Sequence, residues 1–361
     1  YAREILQLFS IGLVRLNPDG SQQLDDRGEP IPTYDQPVVE GFARVFTGWT
    51  FGPNREFLET PEDQLGRGVE PMAAFPEFHE AGEKLLLDGF VLLAGGTPQS
   101  DLEAALDLIA EHPNVGPFIG RQLIQRLVTS NPSPQYVARV SAVWADDGQG
   151  QRGNLEAVAR AILLDPEALL PLDKQPANFG RLSEPLLRQV ALWRAFEAEP
   201  QTGVFVDNDL MGVYAQGPLE ALTVFNFYTP DYTPKGAIEQ LGLKAPEFQI
   251  TTHEKIATTT NRLYERVARG FEAFPFLAPE ATLLSLEGWT ADAAQPSQLV
   301  ERLNTLLMGG SMSDKMRNVL EIYLGAVPMS YGAEAGYAAG LQRVVEAVGL
   351  IITSPEGVWL H

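Results

Sequence analysis

The sequence predicts a mainly α fold: a multi-helical globular domain with one small β-hairpin and long irregular loops. Three observations predict it. Apolar residues recur at three- and four-residue spacing through most of the chain from Ser100 onward, the Asp88-Gly89 pair lies between two short apolar runs, and stretches rich in Pro, Gly and Asp separate the periodic segments. With 361 residues and 45% hydrophobic content, the chain can bury one large core or two of ordinary size.

In YAREILQLFSIG, Ile5, Leu8 and Phe9 recur on one helical face and Gly12 closes the helix. No Met, cap residue or apolar leader stands ahead of it, so Tyr1 is expected to be internal to a longer protein whose N-terminal region is missing here. Residues 13 to 34 read as a surface loop. Asp35 suits the N-cap of a helix in which Val38, Phe42, Val45 and Phe46 share a face, with Gly48 at its end. Residues 50 to 82 read as irregular and aromatic. A hairpin is expected near 84–95, turning at Asp88-Gly89.

Ser100 and Glu103 are spaced as a capping box for SDLEAALDLIAEH, and Pro113 breaks that run. Further helices are expected over NVGPFIGRQLIQRLVTSN, from Ser133-Pro134 and from Asn154. After a Pro-rich break at 171 to 178 comes SEPLLRQVALWRAF, then an aromatic stretch punctuated by Gly and Pro from 203 to 250. Helical patterns return at 252–270, 297–308, 313–324 and 335–352. The chain is expected to form a helical first half, 1–175, and a helical second half, 176–361, packed as one unit. LEAVARAILLDPEALL and LQRVVEAVGLIITSPEGVWL both run an apolar helix into a Pro-Glu pair. Either a helical module is duplicated or Pro-Glu is merely a common stop and start.

The 26 basic and 47 acidic residues give a formal charge of −21, spread along the chain. That field repels phosphate backbones, so nucleic acid is excluded as a partner, and the charge reads as a solvating surface. There is no Cys, which removes disulfides and thiolate chemistry. No segment has the uncharged apolar length of a transmembrane span.

Four His are present, none in a paired-His metal motif, and the sequence names neither a metal nor a cofactor. His112 and His253 sit at expected helix ends and read as structural, and His361 is terminal. His79 is different: it lies in MAAFPEFHEAGEK with Glu77, Glu80, Glu83 and Lys84 close by, where an imidazole beside carboxylates suits a general base or a ligand. Arg3, Glu4, Arg121 and Arg126 are charged groups on otherwise apolar helices, a pattern that reads first as paired structural arginines. GQGQRG follows a helix rather than a strand, which defeats a dinucleotide reading, and no G-x-S-x-G elbow exists.

Taken together, YAREILQLFSIG, FARVFTGW, FHEAGEK, HPNVGPFIGRQLIQRLVTSNPSPQYVARV, GNLEAVARAILLDPEA, FNFYTPDY and APEFQI resemble the large bacterial family catalogued as domain of unknown function 1800 (DUF1800). The resemblance covers nearly the whole chain and is least distinctive from 280 to 335. It implies an exported or envelope protein, in the periplasm, on the outer surface or secreted, often encoded beside a partner family, domain of unknown function 1501 (DUF1501). It implies no reaction. Arg3, Glu4, Thr47, Gly48, Trp49, His79, Lys84, His112, Pro113, Arg121, Arg126, Asn226 and Glu247 fall on its motif positions. Glu80 stands where the family more usually shows Asp.

Two functions are compatible with these residues. The first is a non-enzymatic extracytoplasmic module that binds a partner protein, such as a DUF1501-family protein, or assembles with itself. Loop aromatics (Phe225, Phe227, Tyr228, Tyr232) suit such an interface, and Arg3, Trp49, Lys84, Arg121, Arg126 and Asn226 are its candidate binding residues. The second is a secreted hydrolase or lyase with Glu4 and His79 as acid and base, and with Arg3, Lys84 or Arg126 facing developing negative charge.

Overall fold

The computed structural model describes residues 1–52, 56–57, 70–269, 282–330 and 338–360. Parts of the expected aromatic stretch, the start of the expected last helix and His361 lie outside the described residues. The chain divides into two compact units, one of residues 1–127 and 132–169, the other of residues 128–131 and 170–361. Among the described residues all regular structure is helical except for four two-stranded antiparallel pairs and three isolated bridges. The chain is therefore mainly α and multi-helical.

The first unit begins with α1 (Ala2–Gln7) and α2 (Gln36–Val45). The α1 face that packs inward is Ala2 and Leu6, continued by Ile11, while Phe9 is exposed, so the expected Ile5/Leu8/Phe9 stripe is displaced. The reason is that α1 is only six residues long and Ser10 to Gly12 turn away, so the helical period does not persist to Phe9. Asp35 caps α2 by accepting from the Val38 N–H at 3.2 Å, and Val38, Phe42 and Val45 are buried. Between α1 and α2, the expected loop is instead laced by three bridges, Val14 with Pro32, Leu16 with Gln22 and Leu24 with Pro30.

Strands β1 (Trp49–Thr50) and β2 (Ala73–Ala74) pair next. The expected hairpin follows as β3 (Lys84–Leu85) and β4 (Val91–Leu92), with Lys84 opposite Leu92. Asp88 and Gly89 both have positive φ, 52° and 76°, the conformation of a tight turn matched to strand twist. Helix α3 (Pro98–Glu111) starts earlier than its spacing suggested. Its N-cap is Thr97, whose hydroxyl accepts from the Ser100 N–H, so Ser100 fills the third position of the box rather than the cap. Pro98 at the first helical position fixes this start. Then come α4 (Val115–Leu127), α5 (Pro134–Ala145, capped by Ser133) and α6 (Leu155–Leu163, capped by Asn154). The core joins Leu6, Ile11, Val38, Phe42 and Val45 to Leu86, Leu87, Ala105 and Ile109.

The second unit holds β5 (Arg181–Leu182), α7 (Pro185–Ala195), β6 (Glu199–Pro200), α8 (Leu210–Tyr214), α9 (Ala237–Gln240), α10 (His253–Arg269), β7 (Thr282–Leu283), α11 (Pro296–Met308), α12 (Asp314–Ala326), α13 (Leu341–Thr353) and β8 (Trp359–Leu360). β5 pairs with β8, and β6 with β7. Its core gathers Leu192, Phe196, Leu263, Val267, Leu299, Leu303, Leu320 and Leu324 around Val344, Val345, Val348 and Ile351 of α13.

The Pro-Glu echo has a physical counterpart. In the first unit Ser133, the cap of α5, donates its hydroxyl to Glu167 at 2.6 Å, just after α6. In the second, Ser313, the cap of α12, donates its hydroxyl and its N–H to the Glu356 carboxylate at 2.7 and 2.9 Å, just after α13. Each unit thus carries a three-helix module, α4–α5–α6 or α11–α12–α13, closed by the same clasp from Pro-Glu to a serine N-cap.

Candidate functional site

The densest buried polar cluster at the predicted positions lies in the first unit, where the turn after α2, the segment before the hairpin and the first turn of α3 meet. Strand alternation at β3 sends Leu85 outward and Lys84 inward, where its residue is 0% exposed. The ammonium donates to Asp101 Oδ2 at 2.7 Å and to the Gly82 carbonyl at 3.0 Å. The same Asp101 oxygen lies 3.1 Å from His79 Nε2. His79 Nδ1 faces the Thr47 carbonyl at 3.1 Å and the Thr47 hydroxyl oxygen at 3.3 Å. The side chains of His79, Lys84 and Asp101 are 2%, 0% and 4% exposed.

The FTGW motif is the grip on this histidine. The Thr47 hydroxyl donates to the Arg44 carbonyl at 2.6 Å and accepts from the Glu80 N–H at 2.8 Å, so toward the imidazole it is an acceptor. Both ring nitrogens therefore face oxygens, Asp101 Oδ2 on one side and the Thr47 carbonyl and hydroxyl on the other. A Cβ on Gly48 would sit 2.9 Å from the Phe75 carbonyl oxygen and 3.1 Å from the His79 nitrogen, which is why no side chain fits where the two segments touch. A Cβ on Gly96 would lie 1.9 Å from Asp101 Oδ1.

Asp101 is the residue that sequence reading misses. It shares a helical face with buried Ala105 and Ile109, at steps of four, so a carboxylate on the apolar stripe of α3 is the one signal the sequence carries. Burial pushes its pKa up, but the hydrogen bonds from Lys84 and His79 and their charges outweigh that and hold it below the usual carboxylate value. The first turn of α3 also favours an anion there.

The other expected positions fall elsewhere. Glu4 makes no ion pair or hydrogen bond with His79; among the described residues its buried Oε2 has no hydrogen-bond partner, nor has the buried Tyr34 hydroxyl. Arg3 is exposed and donates to Gln36 at 2.9 Å. The Trp49 indole N–H is buried without a hydrogen bond among the described residues. Arg121 is exposed, Arg126 half-buried, and Asn226 exposed with φ 65°. His112 is buried, its Nδ1 accepting from the Asn114 N–H at 3.1 Å. In the second unit Arg181 lies 3.7 Å from the carboxylates of both Glu184 and Glu247. Among the described residues no group of three or more acidic or His side chains could hold a metal, and no helix is long and apolar enough to cross a membrane.

Of the expected loop aromatics, Tyr228 is buried, Phe227 and Tyr232 are half-buried, and Phe225 is exposed. Residues 218 to 226 are all exposed, among them Leu219 (105%), Leu222 (87%), Val224 and Phe225.

These features define a mainly α protein with a sealed polar cluster under its hairpin and an open apolar loop in its second unit. The chain belongs to the family described as protein of unknown function (DUF1800), whose model matches residues 1–359. No curated protein and no solved structure matches it.

Proposed function

We propose that the protein is a non-enzymatic assembly module that works outside the cytoplasm and binds a partner protein through residues 218–226. The observation that carries this reading is a contrast. The groups with acid–base chemistry, His79, Lys84 and Asp101, are buried and bonded to one another, whereas nine consecutive residues with Leu219, Leu222, Val224 and Phe225 face solvent. Exposed contiguous apolar surface is the mark of an interaction site. Leu219 also has φ 63°, a conformation a leucine adopts at a cost, and its own chain offers it no packing in return.

In this reading the Lys84–Asp101–His79 cluster is a staple that ties three chain segments together, so motif membership there reflects folding. A hydrolase using Glu4 and His79 would need the imidazole to leave two acceptors and reach solvent. The test is co-expression with a DUF1501-family protein, followed by co-purification and cell fractionation. The reading expects a stoichiometric complex outside the cytoplasm, lost in the Leu219→Asp, Leu222→Asp, Phe225→Asp variant while its circular dichroism is unchanged. A complex that survives those substitutions, or a cytoplasmic protein, overturns it.

A further inference from the structure

Helix α12 has a second face that its own unit does not use. Leu320 and Leu324 point into the core, while Lys315, Val319, Ile322 and Ala326 share the opposite side; Val319 is 61% and Ile322 77% exposed. Their spacing of four, three and four residues is that of a coiled-coil seam. Asn318, Tyr323 and Gly325, all exposed, flank it. In a chain with 47 acidic residues this stripe holds no carboxylate.

The sister module supplies an internal control. Aligning the capping serines, Ser133 with Ser313, sets Gln135, Arg139 and Ala142 of α5 and Asp146, its C-cap, at the positions of Lys315, Val319, Ile322 and Ala326. There the outward face is polar, and Arg139 lies back on Asp165 (2.7 and 2.8 Å) and Glu167 (2.8 Å). The clasp and the three-helix packing form with that polar face, so the apolar stripe on α12 is not a requirement of the module.

We propose that the outer face of α12 docks a second copy of this chain, as an antiparallel pair of α12 helices related by a two-fold axis. The stripe is self-complementary in that direction. Val319 meets the second copy's Ile322, and Lys315 meets its Ala326, where small side chains leave room and the carbonyl end of the helix favours a cation. A parallel pair would instead oppose the two Lys315 ammonium groups. The seam is about two heptads, below the ~800 Å² per partner of a standard interface, so the dimer is weak, with a dissociation constant of about 10 μM to 1 mM. Charge repulsion between two copies is screened by salt, so association strengthens with ionic strength.

Sedimentation velocity across that concentration range tests the proposal. A monomer–dimer equilibrium is expected. Val319→Arg with Ile322→Ala, the residues α5 carries, is expected to weaken it at least tenfold without moving the thermal midpoint, while the loop variant at 219, 222 and 225 leaves it intact. Because the chain has no Cys, mixing a Lys315→Cys protein with an Ala326→Cys protein reports direction: a mixed disulfide dimer is expected on oxidation. A protein monomeric throughout, a dimer indifferent to the Val319/Ile322 substitutions, or self-crosslinking of Lys315→Cys alone each overturns it.

Discussion

Replacing Asp101 by alanine probes the staple directly. The Lys84 ammonium is fully buried and its other hydrogen bond is to the neutral Gly82 carbonyl, so the substitution leaves a cation in the core without a counter-charge. Removing one partner of a buried pair costs about 3–5 kcal/mol. For a unit of this size that lowers the melting temperature by roughly 6–20 °C, at about 2–4 °C per kcal/mol. Lys84→Met with Asp101→Ala removes both charges, and the double variant is expected to be more stable than the sum of the singles by about 1–3 kcal/mol. Urea unfolding followed by circular dichroism measures the cycle. An Asp101→Ala cost below about 1 kcal/mol, or strictly additive singles, would falsify the reasoning.

Other consequences follow from neighbouring geometry. Because the folded Asp101 carboxyl is held below its ordinary value, its contribution is complete above about pH 4 and is lost as pH falls through the folded pKa; Asp101→Asn should flatten the urea midpoint below about pH 4. His112 is also held below its ordinary value, chiefly by burial, with Asp88 opposing and Arg15 and Arg152 reinforcing. Its stabilisation is present above about pH 6.5 and lost as pH drops toward the folded pKa, a slope that His112→Gln removes. Ser313→Ala removes the cap to the Met316 N–H and the hydroxyl contact to Glu356, whose other oxygen keeps the Ser313 N–H, and should cost about 1–2 kcal/mol in urea unfolding, comparable to Ser133→Ala, after which Glu167 keeps Arg139. Gly96→Ala drives a methyl against Asp101 and should cost about 1–3 kcal/mol by thermal denaturation.

Much of the local structure is legible in the sequence because its causes are local. Asp35, Ser133 and Asn154 bond to N–H groups three residues on, and Asp88-Gly89 turns the hairpin through conformations few other pairs adopt. The errors are also local. Ser100 reads as the cap of α3 although Pro98 begins the helix and Thr97 caps it, and α1 was too short for its period to select a face. The site divides differently: His79 and Lys84 stand out by residue type and motif, whereas Asp101 reads as one more acidic residue on an acidic helix.

By itself the sequence determined the helical class, the caps, the hairpin turn and the family, since each depends on residues within a turn or two of one another or on motif order. Only the tertiary structure decided that His79 pairs with Asp101 rather than Glu4, that Lys84 is buried, and that α12 leaves Val319 and Ile322 uncovered. Those partners are 17 to 22 residues apart or belong to separate helices. Periodicity fixes which residues share a face, but what that face meets is set by how distant segments close around one core.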